Sequence, residues 1–158
     1  MNPDCIFCKI VTGKLPACKV YEDADTLAFM DIGPIVKGHT LVIPKTHYDP
    51  LIQTPTKVLH QLITVVQRIA AAQVHGLKAD GVNVIQSNGQ AAGQVIPHIH
   101  FHVIPRFLED GHSWNWRPRA YAAPDEMHKL AENIRQALDS HSPAQPGFAL
   151  PLSCGQGP

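Results

Sequence analysis

Histidines recur at every second position in His98-Ile99-His100-Phe101-His102-Val103-Ile104, an otherwise apolar, β-branched and aromatic run. This period-two alternation predicts a β-strand with all three imidazoles on one face and Ile99, Phe101 and Val103 on the other. Successive histidines would stand roughly 6.6–6.8 Å apart, the rise of two strand residues. That is too far for one imidazole to bond the next, but it suits a row of groups lining one anionic ligand, with phosphate the natural candidate. A single histidine in a strand is ordinarily a satisfied, half-buried side chain. Three on one face would give that face no hydrophobic reason to exist.

A neutral imidazole is a good nucleophile near pH 7 and can attack phosphorus where bulk water is slow. The product would be a nucleotidyl-histidine, labile enough for water to cleave in a second step. His100, flanked on both sides, is best placed to attack, and its neighbours to donate to the non-bridging oxygens or protonate the leaving group. The loop Ser87-Asn88-Gly89-Gln90-Ala91-Ala92-Gly93-Gln94 directly precedes the run. Such a loop can turn backbone N–H groups toward phosphate oxygens, or it can serve as a plain hairpin connection.

A competing reading makes histidines metal ligands. Cys5 and Cys8 form a C-x-x-C pair, while Cys18 and Cys154 are isolated. In a reducing compartment the pair is a metal clamp or a redox site rather than a structural disulfide, with two buried free thiols as the plain alternative. Zinc takes four sulfur and nitrogen donors, so Cys5 and Cys8 supply half a set. His47 and His98 could supply the rest, leaving His100 and His102 for phosphate. A closed four-ligand site of this kind is structural, because no position remains for substrate.

The elements that must position these groups are legible around them. Cys5–Val11 reads as one or two helical turns stopped at Thr12-Gly13. A hairpin is predicted from Lys19–Glu22 and Thr26–Asp31, and a strand from His39–Pro44 after the Lys37-Gly38 turn. Thr56–His75 carries apolar residues at helical spacing, with Thr54 or Thr56 as cap and Gly76 as stop. His60 and His75 fall on its solvent-facing or partly packed side. Gly81–Gln86 is a further strand, and Asp125–Leu138 a second amphipathic helix. The proline- and glycine-rich stretch 142–158 has no periodicity and is expected to be poorly ordered. The prediction is therefore one α+β domain over residues 1–141, with an antiparallel sheet of about five strands, one long helix and a C-terminal helix.

Composition narrows the function. A chain of 158 residues suits one core, and its 13 basic and 13 acidic residues cancel. Neutral balance argues against coating nucleic acid or a membrane surface. Met1-Asn2-Pro3-Asp4 has no basic leader character, and no apolar run approaches membrane-spanning length, so a cytoplasmic location is expected.

The histidine run occurs together with Cys5-Ile6-Phe7-Cys8-Lys9-Ile10, Phe29-Met30-Asp31-Ile32, Gly38-His39-Thr40-Leu41-Val42-Ile43-Pro44-Lys45-x-His47 and Ala92-Gly93-Gln94. This set closely resembles the histidine triad (HIT) superfamily over roughly residues 4–107, with a C-terminal extension beyond. The resemblance implies a homodimer whose protomers join sheets, each with a nucleotide cleft. It implies His100 as nucleophile, His102 as the partner contacting the α-phosphate and leaving group, and His39 as the histidine ordering this array. Asp31 matches the carboxylate that binds ribose hydroxyls, and Ile6, Phe7, Phe29 and Ile32 match the walls around a purine base. Ser87 or Asn88, Gly93 and Gln94 match phosphate contacts. Val95 stands where many members have serine or threonine, which leaves its backbone N–H for that contact. Members with the same cysteine pair bind structural zinc, which implies Cys5, Cys8, His47 and His98 as ligands and no organic cofactor. Trp114 or Trp116 would either reach across the dimer toward the partner's substrate site or pack on its own protomer.

The expected activity is that of a nucleotidyl hydrolase acting on purine nucleoside phosphoramidates or dinucleoside polyphosphates and releasing a nucleoside monophosphate. The ending Val103-Ile104-Pro105-Arg106 is shared with dinucleotide-cleaving relatives, whereas the cysteine pair favours the phosphoramidase branch. A slow nucleotide-binding scaffold is the alternative from another class. A transferase would need an acceptor pocket that nothing in the sequence suggests.

Overall fold

A computed structural model describes residues 1–114, 117–123 and 125–141 of the chain. In order, the elements are α1 (Ile6–Val11), β1 (Lys19–Glu22), β2 (Thr26–Met30), β3 (Thr40–Pro44), α2 (Thr56–Leu77), β4 (Gly81–Ile85), β5 (Phe101–Arg106) and α3 (Glu126–His141). The five strands form one antiparallel sheet in the order β1-β2-β3-β5-β4, the α+β architecture expected from the sequence. One compact unit spans Met1–Ser113, and a second begins at Trp114. No described helix is long and apolar enough to cross a membrane.

Strand alternation divides the core between the two sheet faces. On one face Ala28, Val42, Val103 and Ile99 pack against Leu62, Val65, Val66 and Ile69 of α2. On the other, Leu27, Phe29, Leu41 and Ile43 pack against Cys5, Phe7 and Cys8 at the N-terminus. β2 and β3 are covered on both sides, which is why they read as continuous apolar runs rather than alternating ones.

The structure corrects three boundaries. The histidine strand begins at Phe101, not His98, because β3 pairs with β5 only from Val42↔Phe101 through Thr40↔Val103. The approach is held separately, with Ile99 N–H donating to the Tyr48 carbonyl at 2.7 Å. Neither Thr54 nor Thr56 caps α2; the N-cap is Pro55, with no side-chain cap bond. Gly76 does not stop α2, which runs on to Leu77 and closes at Lys78 in the left-handed conformation (φ 59°). α1 ends as expected, with Thr12 as cap and Gly13 at φ +74°. His60 and His75 are exposed on α2, and the stretch 142–158 lies outside the described residues.

One polar residue sits on the buried face of α2. Gln73, one turn beyond Ile69, donates from Nε2 to the carbonyls of Gly38 and Val103, both at 3.0 Å. It thereby ties the helix to the loop before β3 and to β5. The backbone comes closest at Gly38, where φ is +102° and a Cβ would lie 2.7 Å from Leu77 Cδ1 and 2.8 Å from Pro105 Cγ. The Pro105 ring cannot swing aside. Gly38→Ala should therefore destabilise the protein by about 1–3 kcal/mol through overpacking, with backbone strain added, read as a lower urea midpoint with an unchanged m-value.

Candidate active site

His98, His100 and His102 share the sheet face that carries α1, but they divide into two groups. His98 turns toward the cysteine pair. His100 and His102 line a cavity of about 580 Å³ whose apolar walls include Ile6, Phe7, Phe29 and Ile32, with Asp31 beside them. Phe7 stands between the groups, edge-on to His98 and to His100 at centroid distances of 5.8 and 5.3 Å.

His100 Nδ1 lies 2.7 Å from the His98 carbonyl. A carbonyl only accepts, so the neutral ring carries its proton on Nδ1 and keeps the Nε2 lone pair for an electrophile. Burial pushes the His100 pKa down, opposed by this hydrogen bond and by the charges of Asp49 and Asp31. The ring is 5% exposed. His102 lies edge-on to it, with centroids 4.9 Å apart.

A relay runs behind His102. The Ile35 N–H points at His39 Nδ1 (3.4 Å), which assigns the His39 proton to Nε2, from where it is donated to His102 Nδ1 at 2.9 Å. His102 then holds its own proton on Nε2. The Asp31 carboxylate lies 3.6 Å from His39 Nδ1, poised to stabilise a further proton on the pair. Burial lowers the His39 pKa, with Asp31 opposing. Burial, reinforced by the neighbouring His100 and His39, pushes His102 down to about 4.

His102 fixes the sign of an acid dependence. Its folded pKa lies below the unfolded value of about 6.5, so protonation favours the unfolded chain. Its contribution to stability is complete above about pH 6.5 and is lost as pH falls toward about 4. The unfolding midpoint should drop across that window, and the His102 ring should remain neutral by NMR at about pH 5.5. A His102 ring that charges above about pH 6.5 would contradict the assignment.

Cys5, Cys8, His47 and His98 converge with their donor atoms within 4.8 Å of one another. Cys5 Sγ and His98 Nδ1 are 3.5 Å apart, Cys8 Sγ and His47 Nδ1 3.5 Å, Cys8 Sγ and His98 Nδ1 3.8 Å, and the two Nδ1 atoms 3.2 Å. Tetrahedral zinc with ordinary Zn–S and Zn–N bonds has ligand-to-ligand edges of about 3.3–3.8 Å. These four separations lie close to that range, and the two-cysteine, two-histidine donor set suits zinc. His98 Nε2 also donates to the Pro44 carbonyl at 3.0 Å, which leaves Nδ1 as the ligating atom, and burial pushes the ring down to about 4, so it is neutral. Burial raises the Cys5 thiol pKa, the opposite of an activated redox thiol. Asp31, His39 and His102 also gather within 4.8 Å of one another. There the 2.9 Å contact is a hydrogen bond, shorter than the about 3.3 Å separating two nitrogens on one zinc.

A family model described as the HIT domain matches residues 12–109. The chain belongs to the HIT family. It is 46% identical over 142 residues to an adenylylsulfatase, HINT3, of Arabidopsis thaliana, covering 89% of this chain and 72% of that one. It is 37% identical over 142 residues to the adenosine 5'-monophosphoramidase HNT1 of Candida albicans, covering 87% and 93%. Among solved structures, a zinc-bound histidine triad family protein from Mycobacterium smegmatis superposes with a TM-score of 0.68 at 43% identity, over 87% of this chain and 96% of that one.

Within this HIT fold, most of the residues singled out from sequence meet at one place. Gly93 and Val95 line the same cavity as the histidines. Gly93 adopts φ +83° at the end of a short 3-10 turn, Gln90–Ala92. Gln94 lines an adjoining cavity instead. Ser87 and Asn88 line neither; Asn88 Oδ1 accepts the Leu51 N–H at 2.8 Å, so its side chain pins the loop. Trp114 opens the second unit, and Trp116 lies outside the described residues. Sequence reasoning missed Asp49, which binds Gln94, and Gln73. The signal for Gln73 was present, a glutamine one turn past Ile69 on an otherwise apolar stripe; for Asp49 there was none.

Proposed function

We propose that this HIT protein is a nucleotidyl hydrolase that cleaves purine nucleoside phosphoramidates or dinucleoside polyphosphates through a covalent His100 intermediate. The observation that carries the proposal is the His100 ring, its Nδ1–H tied to the His98 carbonyl and its Nε2 left for phosphorus inside the cavity. The names of the phosphoramidase and adenylylsulfatase relatives point the same way.

Ile6, Phe7, Phe29 and Ile32 are the walls for the base, and the Asp31 carboxylate is beside them for ribose hydroxyls. The anionic phosphate favours a proton on the His39–His102 pair, which desolvation otherwise resists. The His100 Nε2–P bond forms as the bond from phosphorus to the leaving group breaks. His102 Nε2–H supplies the proton that the departing atom needs, and His102 becomes neutral. Water then attacks the nucleotidyl-histidine and gives its proton to His102, while His100 leaves neutral and the nucleoside monophosphate is released. The Gly93 and Gln94 N–H groups already donate to the Gln90 and Gly89 carbonyls, so the Val95 backbone N–H at the cavity rim is the phosphate-side contact.

Zinc held by Cys5, Cys8, His47 and His98 would be structural, tying α1 to the sheet. A homodimer is proposed on the family resemblance, with β4, the outermost strand next to β5, offering the edge that a partner sheet would extend.

The test is AMP release, measured by chromatography, from adenosine 5'-phosphoramidate, adenylylsulfate and a dinucleoside polyphosphate. Turnover of at least one is expected. If all three survive while AMP still binds, the protein is instead a nucleotide-binding scaffold.

A further inference from the structure

A second cavity of about 560 Å³ adjoins the nucleotide cleft and shares Gly93 and Val95 with it. The other residues lining it are Asp49, Gly89, Gln90, Gln94 and Pro97, so the sole ionisable side chain among them is Asp49. A substrate whose nucleoside fills the first cavity and whose phosphorus faces His100 has this second cavity for its leaving group.

We propose that Asp49 is a specificity-determining residue that selects phosphoramidates whose departing amine bears a second, cationic group, and disfavours anionic leaving groups. This rests on the hydrolase reading above and narrows its substrate class.

Two observations support it. First, Asp49 is held in place: Oδ1 accepts Gln94 Nε2–H at 2.6 Å, while Gln94 also donates to the Ile96 carbonyl at 3.1 Å and accepts the Gly89 N–H at 2.7 Å. Gln94 is thus occupied at both ends, and the remaining lone pairs of the carboxylate serve a ligand. Second, no ion pair among the described residues neutralises Asp49.

The chemistry follows from the balanced step. As the His100 Nε2–P bond forms and the P–N bond breaks, nitrogen takes the His102 proton and leaves as a neutral amine. An ammonium at the far end of that amine meets Asp49 with opposite charge. A polyphosphate leaving group instead brings several negative charges against the same carboxylate.

The experiment compares kcat/KM for adenosine 5'-phosphoramidates of three amines of equal length: 1,5-diaminopentane, pentylamine and 5-aminopentanoate. Wild-type protein should rank cationic above neutral above anionic, with about tenfold between the extremes, and the spread should shrink at high salt. Asp49→Asn, which keeps an acceptor for Gln94, should compress the series to within about twofold. Equal turnover of all three by wild type overturns the selectivity while leaving the hydrolase reading intact, as does a salt-insensitive ranking. A uniform fall across the series in Asp49→Asn assigns Asp49 to holding Gln94 and also overturns it. Absence of AMP release from all three, pentylamine included, removes the hydrolase reading and this proposal together.

Discussion

His100→Ala should lower kcat by on the order of 10⁴-fold while leaving AMP affinity within about threefold of wild type. The split follows from where the interactions lie. On the proposed reading, affinity comes from the apolar walls of the cavity, which the substitution leaves in place. Rate depends on a neutral imidazole whose free nitrogen is set by the 2.7 Å bond to the His98 carbonyl, and alanine offers no lone pair. His102→Ala should behave differently. The nucleophile would survive, so the loss should be large for a poor leaving group such as an alkylamine and small for one that departs without a proton. Stopped-flow kinetics with two substrates of unequal leaving-group basicity checks both variants. Equal losses across leaving groups in His102→Ala would show that His102 is not the proton donor.

Cys8→Ser should abolish the binding of one zinc per protomer and lower the stability of the fold. With metal about 1,000-fold above its dissociation constant, binding stabilises the native state by about 4 kcal/mol. For a chain of this size that corresponds to roughly 8–16 °C in Tm. The four donors come from the start of α1, α1 itself, the connection after β3 and the approach to β5, so one ion would close three separate pieces of chain. The cluster formed by Cys5, Phe7 and Cys8 against Leu27, Phe29, Leu41 and Ile43 is small, and both cysteines belong to it. There is a catalytic consequence as well. His98 is at once a donor in the cluster and the residue whose carbonyl orients His100, so loosening it should reduce kcat more than it weakens AMP binding. Native mass spectrometry and thermal unfolding with and without chelator test this. Protein purified without chelator that carries no zinc, and whose Tm chelation does not change, would support two buried free thiols instead.

Much of the fold was legible because the dominant signals are local. Alternation marked β4 and the histidine strand, apolar runs bounded by turn residues marked β2 and β3, helical spacing marked α2, and the Gly13 stop ended α1 where expected. The histidine strand was placed early because alternation continues through His98 and His100, and side-chain parity is kept there. Only the pairing ladder stops, and that depends on where β3 ends, a tertiary fact. Helix caps failed for a similar reason. Threonine is a good cap by propensity, but Pro55 holds the capping position at the start of α2, and Lys78 in place of Gly76 ends it. In the site, the cysteine pair and the alternating histidines were readable because ligand and strand spacings are fixed by covalent geometry. The division of the histidines, His98 to the cysteines and His100 and His102 to the cavity, was one of the two readings the sequence offered. What spacing did not reveal is that His39 hydrogen-bonds His102, which follows from β3 lying beside β5. Asn88 pins the loop through the Leu51 N–H, a role that looks in sequence like a phosphate contact.

On the proposed reaction path, phosphorus passes through a bond to His100 Nε2. Rapid-quench intact-mass analysis of wild-type protein mixed with a limiting amount of adenosine 5'-phosphoramidate tests it most directly. One adenylyl increment should appear on the protein within the first turnover, map to the peptide carrying His100, and decay as AMP is released. AMP released at the same rate with no adduct at any quench time, or an adduct on another residue, would contradict the account.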